Sequence, residues 1–199
     1  MDYTEETFKV LIESYGGVAS AKELAASGVT RLAIYNALLN GWINKESHGN
    51  YVTCSDQPDE YKLIQNRSGK LIFSHATALY LLGVSDRVPH ELDIIVPQGD
   101  NISRFKRDYP NTKFRYCKKE LWDLGIIEVK TPQGYFVRIY DEERCICDLI
   151  KDKKSIDLQI FTGALKAYFG HRCNPRKIIK YAKALNVEDK VRMYMEVLQ

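Results

Sequence analysis

Along residues 3–17, "YTEETFKVLIESYGG", apolar side chains fall at Phe8, Leu11, Ile12 and Tyr15. That is the three-and-four spacing of one helix face, and the double glycine stops it. Ser20 opens "SAKELAASG" with Glu23 three residues on, the signature of a capping box. Gly28 ends this second helix after Ala25, Ala26 and Ser27, whose small side chains permit a tight turn. Thr30 caps a third helix, "TRLAIYNALL", which runs to Asn40–Gly41. "WINKESHGNYVT" then predicts two short strands around a glycine-containing loop. Helix, helix, turn, helix, hairpin is the order of a winged helix-turn-helix.

"CSDQPDEYK" is polar, contains Pro58, and reads as a linker or a helix start. It sets the expected domains at 1–55 and 56–199. Beyond it, the strand candidates "KLIFS" and "ELDIIVP" flank the helical "SHATALYLLGVSD". "TKFRYC", "IIEVKT" and "GYFVRIY" alternate or are β-branched, and "TPQG" between the last two predicts a hairpin turn. From "DEERCICDLIKDK" onward the period turns helical, with Asn174 and Pro175 opening a helix before the last, "VEDKVRMYMEVL". Strands followed by helices predict an α+β chain: an N-terminal winged helix-turn-helix, then a mixed α/β domain ending in helices.

Composition changes this picture little. With 199 residues, 45% hydrophobic and 28% charged, the chain has room for a substantial core. No apolar run approaches the length that spans a bilayer, and the acidic N-terminus lacks the pattern of a signal peptide. A cytoplasmic protein without a membrane partner is expected. The five cysteines are scattered, which predicts reduced thiols; Cys145 and Cys147, two apart on a helix, point to nearly opposite faces and cannot chelate one ion together. Neither they nor the four histidines stand at metal-ligand spacing, so no metal and no cofactor are expected.

Charge is more informative. Residues 1–53 carry four basic against six acidic side chains, so the net +3 of the chain lies entirely beyond them. Arg104, Lys106, Arg107, Lys113, Arg115, Lys118 and Lys119 cluster within residues 104–119; Arg176, Lys177 and Lys180 lie in a second run. Such clusters suit a polyanionic partner, and equally a solvated surface balanced by acids elsewhere.

On the third helix, a 100° step per residue places Ile34, Ala37, Leu38 and Gly41 toward the core. Arg31, Leu32, Tyr35, Asn36 and Leu39 face the other way. As a DNA reader, Asn36 suits adenine, Thr30 and Tyr35 suit phosphate, and the leucines can touch only thymine methyls. Lys22, Lys45, His48 and Asn50 are the remaining candidates for phosphate contact. The alternative is that the leucines are buried, against the second domain or a second subunit.

"SGVTRLAIYNALLNGWI…HGNYV", "FSHATALYLLGVSDRVPHELDIIVP" and "VRIYDEERCICDLIKDK" together resemble the AbiEi family, the antitoxins of type IV toxin–antitoxin systems that act in abortive infection, a phage defence. The similarity runs in order across nearly the whole chain, and its middle block is the most specific. The resemblance implies a winged helix that binds and represses its own promoter, and a C-terminal domain that counters a nucleotidyltransferase toxin without a stable complex. Its family tends to place basic residues where Leu32, Asn36 and Leu39 stand, so this chain departs from the pattern at the reading face. With about three phosphates neutralised per monomer, a dimer on inverted half-sites is the expected working form, from a monomer or weak dimer in solution.

No enzyme is expected. Asp86, Glu91 and Asp93 lie close together, Glu91 and Asp93 on one strand face, as in metal-dependent nucleotidyltransferases. Yet the chain has no Gly-Ser dipeptide to hold a triphosphate and no Walker- or Rossmann-type glycine loop. His75 beside Ser74 lacks a third orienting group at known spacing, so Ser74 reads as a helix cap. Asp141 reads as an N-cap, and Arg144 and Asp148, four apart, as a pair on a helix surface.

Overall fold

A computed structural model describes residues 3–46, 49–54 and 59–198. The chain is α+β and divides into two compact units, one of residues 1–69 with 130–137, the other of 70–129 with 138–199.

In the first unit, α1 (Glu5–Ser14) buries Phe8 and Ile12. It ends at Gly16 and Gly17, both at positive φ; a Cβ on Gly17 would stand 2.6 Å from the Tyr135 hydroxyl oxygen, so only glycine fits. A two-residue strand, β1 (Ala19–Ser20), precedes α2 (Ala21–Ala26) and was not foreseen. The capping box is formed: Glu23 N donates to Ser20 Oγ (3.2 Å) and Ser20 N to Glu23 Oε2 (2.7 Å). Thr30 caps α3 (Arg31–Leu39), its Oγ1 accepting from Ala33 N at 3.1 Å. β2 (Ile43–Lys45) and β3 (Asn50–Thr53) follow, and β3 is the central strand of an antiparallel sheet ordered β1-β3-β2. Phe8, Ile12, Leu24, Val29, Ile34, Ala37 and Ile43 form one core beneath these elements.

The expected boundary near residue 55 falls beside residues 55–58, which lie outside the described ones. The compact unit instead continues through α4 (Glu60–Asn66) to Gly69. The reason is local: Ile64 is fully buried, Asn66 Nδ2 donates to Val18 O (3.0 Å), and the Asp59 cap accepts from the Thr131 hydroxyl as well as from Lys62 N. What reads as linker therefore leads into a helix of the first unit.

The second unit is built on a five-stranded sheet ordered β6-β5-β4-β8-β7, from β4 (Ile72–Phe73), β5 (Leu92–Pro97), β6 (Thr112–Cys117), β7 (Ile126–Lys130) and β8 (Phe136–Tyr140). β5 is antiparallel to β4 and parallel to β6, and all six of its residues are buried, Asp93 among them. Helices α5 (His75–Leu81), α6 (Ser103–Asp108) and α7 (Lys119–Trp122) lie between strands in sequence; the last two are short and were not foreseen. Then come α8 (Glu142–Lys151), α9 (Leu158–Ala167), a π turn (Tyr168–Arg172), α10 (Pro175–Ala184) and α11 (Glu188–Leu198). α8 packs against α5, α9, α10 and α11. Every residue from Glu143 to Ile150 is buried, so the Arg144–Asp148 pair (2.8 Å) lies in the core, not on a helix surface as its spacing suggested. None of the five cysteines is in a disulfide, and no helix among the described residues is long and apolar enough to cross a membrane.

Candidate nucleic-acid interface

α3 is amphipathic only in a limited sense. Its inner side buries Ile34 and Ala37, with Leu38 partly covered. Gly41, placed by the helical wheel toward the core, is exposed: it lies past the helix end at φ +69, where the wheel no longer applies. The outer side presents Leu32 (68% exposed), Tyr35 (58%) and Leu39 (68%) together with exposed Asn36. Leu32, Asn36 and Leu39 border an open groove of about 650 Å³ shared with Tyr3 and Trp42.

Lys22, Arg31 and Lys45 are exposed, and none makes an ion pair with a described residue. Thr30 is exposed; its Oγ1 accepts the cap bond and keeps its own proton to donate. Asn50 is a correction: it is 2% exposed in the central strand, paired with Ser20 on one side, and cannot reach a phosphate. His48 lies outside the described residues.

The basic run 104–119 is less free than its composition suggests. Arg104, Lys106, Lys118 and Lys119 are exposed, as is Arg107, which pairs with its neighbour Asp108. Lys113 donates to Ser155 O at 2.8 Å, and Arg115 is turned inward onto Asp93 and Asp152. In the second run Arg176 and Lys180 are exposed, but Lys177 is held by Glu143 (2.7 Å) and Asp141 (3.1 Å). Burial works against the charge of this amine, but the two carboxylates outweigh it and hold its pKa above the ordinary lysine value. Arg115 is thus a structural cation turned away from the surface, while Lys113 and Lys177 stay partly exposed with their amines already engaged. A basic concavity of about 590 Å³ that the sequence reading passed over is lined by Lys151, Lys153, Lys154 and Lys190 beside Tyr194. The run "KDKK" at 151–154 was its visible signal.

The inward turn of Arg115 completes a polar chain that runs from buried Ser74 and His75 to part-exposed Asp152. Ser74 Oγ stands 3.0 Å from His75 Nδ1, His75 Nε2 stands 3.2 Å from Asp152 Oδ2, and Arg115 Nε lies 3.3 Å from the same oxygen. The third orienting group missing near His75 in sequence is therefore Asp152. Ser74 does not cap α5, contrary to expectation: it occupies the N-cap position but makes no capping bond. Asp93 takes that role from the neighbouring strand, Oδ2 accepting from Ala76 N at 3.3 Å, while Thr77 Oγ1 accepts from Asp93 N at 2.8 Å. His75 is held at φ +47, a conformation a histidine adopts at some cost and that this network over-determines. Ser74 and His75 have no exposed surface, so the hydroxyl meets no solvent. The carboxylates weighed for metal chemistry are also separated: Asp86 and Glu91 are exposed, whereas Asp93 is buried on Arg115. Among the described residues no three His, Cys, Asp or Glu side chains are grouped to share a metal ion.

Asp152 gives a pH prediction. The His75 hydrogen bond, against the opposing effect of burial and with help from the His75 and Arg115 charges, holds its pKa below the ordinary aspartate value. A carboxyl lowered on folding stabilises the fold above the unfolded pKa, about 3.9, and that contribution is lost as pH falls through the folded value. The gap in thermal midpoint between the native chain and Asp152→Asn is therefore expected to be constant above about pH 5 and to narrow in acid. A gap unchanged down to pH 3 would contradict this assignment.

These observations define a two-unit α+β protein with an exposed, carboxylate-free helix in its first unit and a buried ionic core in its second. The chain is similar in structure to the RV2827C protein from Mycobacterium tuberculosis, known from a crystal structure, with a TM-score of 0.62 over 98% of this chain and 82% of that one. At 12% sequence identity the likeness is one of fold. No family model and no curated protein sequence matches the chain.

Proposed function

We propose that the protein is an AbiEi-type antitoxin and transcriptional autorepressor that works in the cytoplasm. In this reading the first unit is a winged helix-turn-helix: α2 and α3 are its helix-turn-helix and β2–β3 its wing. The observation that carries the reading is the outer face of α3, which holds Arg31, Tyr35 and Asn36 and no carboxylate, with unpaired Lys22 and Lys45 near it in sequence order on α2 and the wing strand. Arg31, Lys22 and Lys45 bind phosphates of the protein's own promoter, Thr30 and Tyr35 add hydroxyl contacts, and Asn36 meets base edges. Three cations per module make a weak reader, so two chains bind together on inverted repeats. The second unit counters a nucleotidyltransferase toxin, without catalysis of its own and without a stable complex. Its exposed cations Arg104, Lys106, Arg107, Lys118, Lys119, Arg176 and Lys180 are available for that task or for further contacts with nucleic acid.

The test is an electrophoretic shift with the DNA upstream of the protein's reading frame. Six phosphate contacts per dimer predict an affinity about a thousandfold weaker at 200 mM than at 50 mM salt. Absence of salt-sensitive binding at micromolar protein would overturn the repressor assignment. Absence of a nucleotidyltransferase in the neighbouring reading frame would overturn the antitoxin assignment.

A second reading has one observation in its favour. Leu32, Tyr35 and Leu39 are large, apolar and exposed, as on a module that has lost DNA binding and docks a protein partner. Leu32→Arg separates the two, tightening DNA binding under the first and abolishing association under the second.

A further inference from the structure

The exposed residues of α3 form an ordered stripe. Positions 32, 35, 36 and 39 are spaced i, i+3, i+4, i+7 and lie on one side of the helix, opposite buried Ile34 and Ala37. At 1.5 Å per residue the stripe is about 10 Å long, which is about three base-pair steps. An isobutyl group stands at each end and a carboxamide between them. The nearest acid preceding the helix, Glu23, is tied into the α2 capping box, so no carboxylate on α3 opposes approach to a polyanion. Unpaired Arg31 on the helix itself supplies the matching charge.

What such a stripe can read follows from the chemistry of the major groove. A carboxamide pairs bidentately with the N6 and N7 edge of adenine. An isobutyl group can gain only from an apolar partner, and the one apolar group on the floor of the major groove is the thymine C5-methyl. Set over a G·C pair, the same leucine would cover the cytosine amino group and the guanine O6 without replacing their hydrogen bonds to water. Resting on the DNA-binding reading above, we infer that α3 selects A·T base pairs, with Leu32 and Leu39 packed on thymine methyls on either side of an adenine held by Asn36. This helix discriminates by methyl contact where a basic helix would discriminate by guanine contact.

The experiment removes the methyl and nothing else. Fluorescence polarisation measures binding of the full chain to the duplex upstream of its reading frame, and to the same duplex with uracil in place of every thymine. The comparison protein is the double variant Leu32→Ala, Leu39→Ala; both positions are exposed and alanine is the best helix former, so its fold is retained. Burying one methyl is worth about fourfold in affinity, so uracil is expected to weaken the native chain about fifteenfold per module for two contacts. The double variant is expected to bind the two duplexes equally.

Equal binding of both duplexes by the native chain, with salt-sensitive affinity intact, would overturn methyl readout and leave the repressor assignment standing. A uracil penalty that survives in the double variant would also overturn it, because the methyls would then act through the DNA or another part of the protein. No binding to either duplex would overturn both.

Discussion

Arg144→Leu is expected to cost about 3–5 kcal/mol of folding stability, measured as the shift in urea denaturation. Arg144 has no exposed surface. Its Nε donates to Asp148 Oδ2 (2.8 Å) and its Nη1 to the carbonyls of Leu121 (2.7 Å) and Leu124 (2.9 Å), while the guanidinium lies 4.4 Å from the centre of the Tyr140 ring. Burial works against its charge, but Asp148 outweighs that and holds the guanidinium firmly protonated. Leucine fills part of the volume but leaves Asp148 buried without a cation and strips the guanidinium bonds from the Leu124 and Leu121 carbonyls, the latter keeping only a long bond from Leu124 N (3.4 Å). The double replacement Arg144→Leu, Asp148→Leu is expected to recover much of the loss, since it removes the orphaned charge too. Arg144→Lys is expected to rescue poorly, because one ammonium cannot reproduce the fork that reaches a carboxylate and two carbonyls. A loss below about 1 kcal/mol for Arg144→Leu would mean that water reaches Asp148 and the pair is not a core element.

Asp93→Ala is expected to be the second most damaging change, at about 3 kcal/mol, read by thermal and urea denaturation. One carboxylate here does two tasks: it is the more buried of the two acids on Arg115, Asp152 being the other, with Arg115 Nη2 already lacking a hydrogen-bond partner among the described residues, and it caps the first turn of α5 through Ala76 N. Asp93→Asn separates them, because the amide keeps an oxygen for the cap and loses the charge. It is expected to retain about 1 kcal/mol that alanine loses, the usual worth of a helix cap. Equal losses in Asn and Ala would assign the whole effect to the ion pair. The same residue shows why paired carboxylates on a strand are weak grounds for inferring metal chemistry: their meaning depends on what the next strand sets against them.

The first unit was legible in sequence because its signals are local. The Ser20–Glu23 capping box and the Thr30 cap each require a few neighbouring residues, and each is formed as read. The same holds in the second unit for Asn174 and Pro175 at the start of α10, and for the "TPQG" turn, where Gly134 N donates to Thr131 O at 2.8 Å. Short elements escaped: β1 has two residues, and α6 and α7 have six and four, too few for a period to register. The last turn of "LKAYFGHR" reads as α-helix but widens to a π turn, which no sequence period distinguishes.

The side-chain assignments divide along the same line. Caps, turns and the amphipathic stripe of α3 depend on contacts within one turn of helix or one hairpin, so the order of residues was enough to determine them. Asn50 was misjudged because alternation along a strand does not tell how many sheet neighbours the strand will have. Arg115 and Lys177 read differently in the structure because a charge counts fully toward a surface field only if no carboxylate from a distant segment claims it. His75 and Asp152 are 77 residues apart, and Asp93 caps a helix that begins 18 residues before it. Only the tertiary structure decides such pairings, because chain packing sets their distances and burial makes an unpaired charge too costly to leave alone.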